Sequence, residues 1–171
     1  MTTGFVDRLA AARIGATFNQ YSDSELRRAR LAQYLRERRE TRILLVGEAP
    51  GYRGARVSGI PFTSERQLSG SGPAEATATI VQRTLAELGL AESVLLWNLV
   101  PTHPGTAQSN RQPTRTEVEQ SDSFLRELAD GRRVVAIGRL AQVRLGGPYV
   151  RHPSHGGAAA FRAGLVQTLL G

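Results

Sequence analysis

The sequence predicts an α/β fold, a three-layer α/β/α sandwich with a central four-stranded parallel sheet, built by residues 1–171 as a single domain. Three observations lead there. Short, unbroken apolar runs recur along the chain, as strands read when both faces of a parallel sheet are covered. Segments with apolar residues at helical spacing separate them, and strands alternating with helices pair in parallel. A chain of 171 residues with 40% hydrophobic content has the size of one domain around one core.

The elements follow in order. Phe5 to Ile14 and Ser24 to Glu40 read as helices, the second carrying Leu26, Ala29, Leu31 and Tyr34 among many Arg and Glu residues. Thr41 to Val46 (TRILLV) is the first buried strand. The Gly- and Pro-rich stretch Gly47 to Pro73 behind it reads as an irregular loop, too long for a simple connection and therefore functional. Ala74 to Leu88 places Ile80, Val81, Leu85 and Leu88 at helical spacing, and Ser93 to Trp97 (SVLLW) is the second strand. After another irregular loop, Thr114 to Ala129 is an amphipathic helix with Thr114 or Thr116 as its cap. Arg133 to Ile137 (RVVAI) forms the third strand and Gly138 turns the chain. A short helix, a brief strand at Tyr149 to Arg151, the loop HPSHGG and a final helix from Ala158 to Leu170 complete the pattern. Ligands bind such sheets at the carboxyl ends of the strands, where three of these loops emerge.

Composition narrows the chemistry. The chain has no cysteine, which excludes disulfides, thiol nucleophiles, zinc ribbons and cysteine-held iron-sulfur clusters, and its three histidines leave little for a metal site. No cofactor is expected. All 22 basic residues are Arg, so a Schiff base would have only the terminal amine to use. The net charge of +7 fits a polyanionic partner, since Arg on phosphate releases condensed counterions; Arg-rich codon usage gives the same balance. No apolar run is long enough to cross a membrane, and the start lacks the pattern of a secretory signal, so a cytoplasmic monomer is the expectation.

Three segments carry the remaining signal: Gly47-Glu48-Ala49-Pro50-Gly51 after the first strand, Trp97-Asn98-Leu99-Val100-Pro101 ending the second, and His152-Pro153-Ser154 after the last. Alone, each is weak, and a GxxPG segment is often just a turn. Together, in this order, they resemble the uracil-DNA glycosylase superfamily over nearly the whole chain. The branch most similar is the bacterial and archaeal one that also carries GEAPG, because Gly59-Ile60-Pro61-Phe62 and Asn110-Arg111-Gln112-Pro113-Thr114 match as well. That branch holds an iron-sulfur cluster on four cysteines, which this sequence lacks.

The resemblance implies roles. Asn98 resembles the side chain that reads the Watson–Crick edge of uracil with donor and acceptor in fixed geometry, and Phe62 the aromatic on which the flipped base stacks. His152 matches the residue that stabilises charge on the departing base. Ala49 stands in the base pocket where the best-known branch has an Asp, which leaves Glu48 as the carboxylate for water. Phosphate contacts fall to Pro50, Gly51, Ser154 and Arg111, with Arg53 and Arg56 as further candidates and His103 as a loop residue within reach of phosphate. His155 occupies the place of an apolar wedge, and Gly156 and Gly157 cannot fill a vacated stack. The implied activity is hydrolysis of the N-glycosidic bond of deoxyuridine in single- or double-stranded DNA. Excision of hypoxanthine, xanthine or mismatched thymine, or binding of damaged DNA without turnover, are the other readings.

Overall fold

The computed structural model describes residues 2–171. Four strands make the central sheet: β1 (Ile43–Gly47), β2 (Val94–Asn98), β5 (Arg133–Ile137) and β6 (Tyr149–Val150), all parallel, in the order β2-β1-β5-β6. Two more strands, β3 (Gly105–Thr106) and β4 (Ser109–Asn110), form a small hairpin in the segment after β2. The helices are α1 (Thr2–Ala11), α2 (Glu25–Glu37), α3 (Ala55–Ser58), α4 (Glu65–Ser69), α5 (Ala76–Glu87), α6 (Arg115–Ala129), α7 (Arg139–Leu145) and α8 (Ala158–Leu165), the last continuing as a wider turn over Val166–Leu170. Among the described residues no helix is long and apolar enough to span a membrane.

The layers follow from packing and charge. Leu44, Leu45 and Val46 of β1 and Leu95, Leu96 and Trp97 of β2 are buried on both faces, as continuous apolar runs require. On one face Phe5 of α1 meets Trp97 and Phe124 of α6 edge-on, with ring centroids 5.7 and 5.5 Å away. An ion pair from Arg144 to Asp122 ties α7 to α6 on that face, and one from Arg162 to Glu87 joins α8 to α5 on the other. Right-handed crossovers demand this split, because the chain leaves β1 towards β2 but leaves β5 towards β6. The connections diverge between β1 and β5, and the crevice at their carboxyl ends is where such sheets bind ligands. At the free edge, the Tyr34 hydroxyl accepts the Leu96 N–H at 2.8 Å, so α2 covers a group that would otherwise invite another strand.

Two expectations need correction. Residues 47–73 are not one irregular loop: they hold α3 and α4, four and five residues long, too short and too polar to show a helical period in sequence. The first helix ends at Ala11 rather than Ile14, because the Asn19 side chain takes up the Leu9 and Ala12 carbonyls and turns the chain there.

Glu117 anchors the approach to the site. It lies one turn into α6, buried, and accepts from both Arg111 guanidinium nitrogens at 2.8 and 2.7 Å, from the Thr114 N–H at 2.9 Å and from the Ala16 N–H at 3.1 Å. Arg111 first, then the backbone donors, pull its pKa down to about 2. A carboxyl depressed on folding adds stability above its ordinary value of 4.5, and that stability disappears as pH falls towards 2. With Arg111 partly in water the contribution is about 2 kcal/mol. Glu117→Gln is expected to lower stability at pH 7 by about that amount and to flatten its acid limb, read from denaturant titrations at pH 7 and pH 3.

Candidate active site

A cavity of about 260 Å³ opens at the carboxyl edge of the sheet. Glu48, Ala49, Pro50 and Gly51 line it from the turn after β1, and Asn98 from the last position of β2. Phe62 enters from the segment between α3 and α4, Arg111 from beyond the β3–β4 hairpin, and His152 and Ser154 from the loop after β6. Nine of the residues singled out in the sequence thus reach one cavity, although more than a hundred positions separate the first from the last, whereas Arg53, Arg56, His103 and His155 do not line it.

Phe62 holds its ring by a left-handed backbone, φ 52°, which a bulky residue adopts only under constraint. The Gln82 amide donates to its carbonyl at 2.9 Å, and Ser58 Oγ donates to the next carbonyl, Thr63, at 2.6 Å. The ring lies on Gly47: a Cβ at that position would collide with Phe62 Cζ and stand 3.0 Å from Asn98 Oδ1. Glycine at the end of β1 is therefore what lets an aromatic face and an amide oxygen share one floor. Asn98 is buried and its Oδ1 has no hydrogen-bond partner among the described residues. A buried acceptor left empty costs about 1–3 kcal/mol, which a ligand carrying a donor would recover.

His152 is half-buried, and burial first, then the neighbouring His155, hold its pKa below the ordinary histidine value. The Ser154 backbone N–H donates to Nδ1 at 3.1 Å, and Ser154 Oγ lies 2.7 Å from the same nitrogen. Nδ1 is thus an acceptor, the ring proton sits on Nε2, and the neutral imidazole offers an N–H donor. Glu48, half-buried, has its carboxyl pKa raised by burial, and no described residue donates to that carboxyl, although the Val100 N–H donates to its backbone carbonyl at 3.1 Å. It stands between the cavity and a wider neighbouring one lined by Gly138, Arg139, Tyr149, Arg151 and His155.

Several expected phosphate contacts are otherwise engaged. The Pro50 carbonyl lies 2.8 Å from His103 Nδ1, and Thr106 O lies 2.7 Å from His103 Nε2. His103 is fully buried, pinning the turn after β1 to the hairpin, so it is not a phosphate contact. Arg56 stacks its guanidinium over the Phe18 ring at 5.1 Å, with Nε buried. Ser154 serves His152, and Arg111 serves Glu117 while its edge faces the cavity. His155, exposed, has φ 52° at the tip of its loop.

The sequence reading missed Glu75. It precedes α5, its backbone N–H bonds Ser64 Oγ at 2.8 Å, and its carboxyl turns into the cavity against Gly51 and Gly54. Burial raises its pKa while Arg53 lowers it, and Oε2 is buried without a partner among the described residues. In sequence, an acid just ahead of a helix reads as a partner of the helix dipole, so nothing there sets it apart.

Residues 35–166 match the uracil DNA glycosylase superfamily. The chain belongs to the uracil DNA glycosylase superfamily. Superfamily membership makes it a DNA glycosylase with DNA as substrate. The fold of this glycosylase is similar to the crystal structure of wild-type Pedobacter heparinus SMUG2, with a TM-score of 0.70 and 13% identity, covering 99% of this chain and 97% of that one. No curated protein matches it. Having no cysteine, this glycosylase departs from the cluster-bearing GEAPG branch, as its sequence indicates.

Proposed function

We propose that this glycosylase removes uracil from DNA by hydrolysing the N-glycosidic bond of deoxyuridine. The observation that carries the reading is Asn98, whose buried Oδ1 has no partner beside the Phe62 ring. Uracil brings a flat face for the ring and an N–H for that oxygen, while the amide NH2 can donate to the adjacent carbonyl. The exposed Arg111 at this cavity and Arg139 and Arg151 at its wider neighbour supply charge for phosphate, and Gly51 lines the cavity beside Arg111.

In this reading the deoxyuridine leaves the stack and enters the cavity. The bond from C1′ to N1 breaks with its electron pair on the base, and the charge spreads to the carbonyl oxygen facing His152 Nε2–H. A water molecule adds to the cationic C1′ and gives its proton to the Glu48 carboxylate, from which it passes through solvent to the departed uracil anion; the products are uracil and an abasic site. Neutral His152 suits this role, because its proton is kept and only its dipole is used.

The pH dependence tests the role of Glu48. The carboxylate must be ionised to take a proton, and burial raises its pKa, so excision is expected to fall on the acid side with a midpoint above 4.5. Glu48→Gln is expected to slow excision roughly 10²-fold and to remove that limb. A carboxyl raised on folding stabilises when protonated and loses that stability as pH rises through its folded value, so the Gln variant keeps or gains thermal stability at pH 7. The assay is a labelled oligonucleotide with one uracil, treated with alkali to cut abasic sites. No cleavage by high wild-type enzyme on single- or double-stranded substrate would sink the uracil reading.

A further inference from the structure

Among the described residues Phe18 is the only exposed phenylalanine, with 38% of its surface in water, yet its backbone is held on both sides. Its N–H donates to the His103 carbonyl at 2.8 Å, and its carbonyl accepts the His103 N–H at 2.9 Å. The residues behind it are fastened too: the Gln20 amide donates to the Pro101 carbonyl and the Tyr21 hydroxyl to the Gly59 carbonyl, each at 2.9 Å. A ring already fixed in place gives up little freedom when a ligand lies on it.

Its partner is Arg56, whose guanidinium lies over the ring, 5.1 Å from the centroid. Arg56 Nε is buried and has no hydrogen-bond partner among the described residues. No ligand reaches that nitrogen, but its burial means that the cation is packed on the ring rather than spread in solvent. Both members of the pair are tied to the turn that lines the cavity. His103, which holds Phe18, has Nδ1 2.8 Å from the Pro50 carbonyl, and the Arg56 N–H donates to the Gly51 carbonyl at 3.4 Å.

The pair stands on the β2 side of the cavity, because His103 follows that edge strand. On the β6 side, in the wider neighbouring cavity, Arg139 lies over the Tyr149 ring at 5.5 Å. A DNA strand laid along this edge of the sheet, with one nucleotide in the cavity, meets an arginine on an aromatic ring to either side.

We propose that Phe18, backed by Arg56, is a stacking platform for an unpaired base of the substrate strand beyond the flipped nucleotide, so that single-stranded DNA is held better than duplex. Every base has a flat face to lay on the ring, and the cation behind it adds attraction and draws the phosphates. In a duplex the bases are paired and stacked on one another, and none offers its face to Phe18. The platform rests on DNA as the substrate and not on the uracil reading.

The probe is a fluorescein-labelled oligothymidine with one tetrahydrofuran abasic analogue at its centre, single-stranded or annealed to its complement. It contains no uracil and no bond that the enzyme cuts. Wild type, Phe18→Ala and Phe18→Trp are titrated by fluorescence anisotropy at one salt concentration, and uracil excision is measured in parallel. Wild type is expected to bind the single strand more tightly than the duplex. Phe18→Ala is expected to lose about tenfold on the single strand and less than about twofold on the duplex, whereas Phe18→Trp holds the single strand at least as tightly as wild type. The salt dependence of Phe18→Ala matches that of wild type, since no phosphate contact is removed. Equal wild-type affinity for the two probes would overturn the platform. So would a Phe18→Ala loss that falls equally on both with the unfolding midpoint unchanged, or a Phe18→Trp variant as weak as Phe18→Ala. The expected pattern in a protein that excises no uracil would support the platform and overturn the uracil reading alone.

Discussion

His152→Ala is expected to slow uracil excision by roughly 10²–10³-fold, the effect of losing one donor aimed at developing charge. The loss falls on the chemical step. Nε2–H meets the base carbonyl most strongly when the bond to C1′ is breaking, so single-turnover rates drop while the affinity for uncleavable substrate changes little. Because Ser154 N–H fixes Nδ1 as an acceptor, the neutral ring does the work, and the rate stays level through the ordinary histidine range upwards. Acid titration of His152 must break the Ser154 N–H bond. Since its pKa is lowered on folding, the unfolded chain takes up the proton first, and stability falls as pH drops below the ordinary value of 6.5. A rate that instead climbs as pH falls through that range would show that the charged imidazole is the active form. Ser154→Ala, which keeps the backbone N–H, is expected to cost far less than His152→Ala.

Asn98→Asp is the second large effect, about 10²-fold or more in kcat/KM. A carboxylate there presents acceptors only, so one oxygen faces the uracil carbonyl, and a buried charge stands where an amide NH2 had donated. The same change adds an ionisable group to a floor shared with the Phe62 ring, so the residual activity should be recovered in part at low pH, when the acid regains a proton to donate. Measured excision across pH 5 to 8 separates this from general damage, which would not be rescued by acid. Equal kcat/KM for the two proteins at neutral pH would remove Asn98 from base recognition.

What the sequence made legible divides along physical lines. The strands were readable because both faces of the sheet are covered, so the unbroken apolar runs ILLV, VLLW and VVAI stand out within β1, β2 and β5. The floor of the cavity was readable because Asn98, Phe62 and His152 sit in motifs whose order fixes their meeting. The short helices α3 and α4 were not, since four or five residues give no period to detect. Partners escaped too. That Arg111 is held by Glu117, that His103 is a buried clamp, and that Glu75 returns to the cavity under Gly51 depend on tertiary approach, which local spacing does not encode.

The most direct test of the central claim is release of free uracil, identified by mass, from an oligonucleotide with one uracil opposite G, by wild type and Asn98→Asp at equal concentration. Uracil appearing in step with abasic sites, and falling at least 10²-fold with the variant, is the predicted result. No uracil from the wild type, or equal release by both, would contradict it.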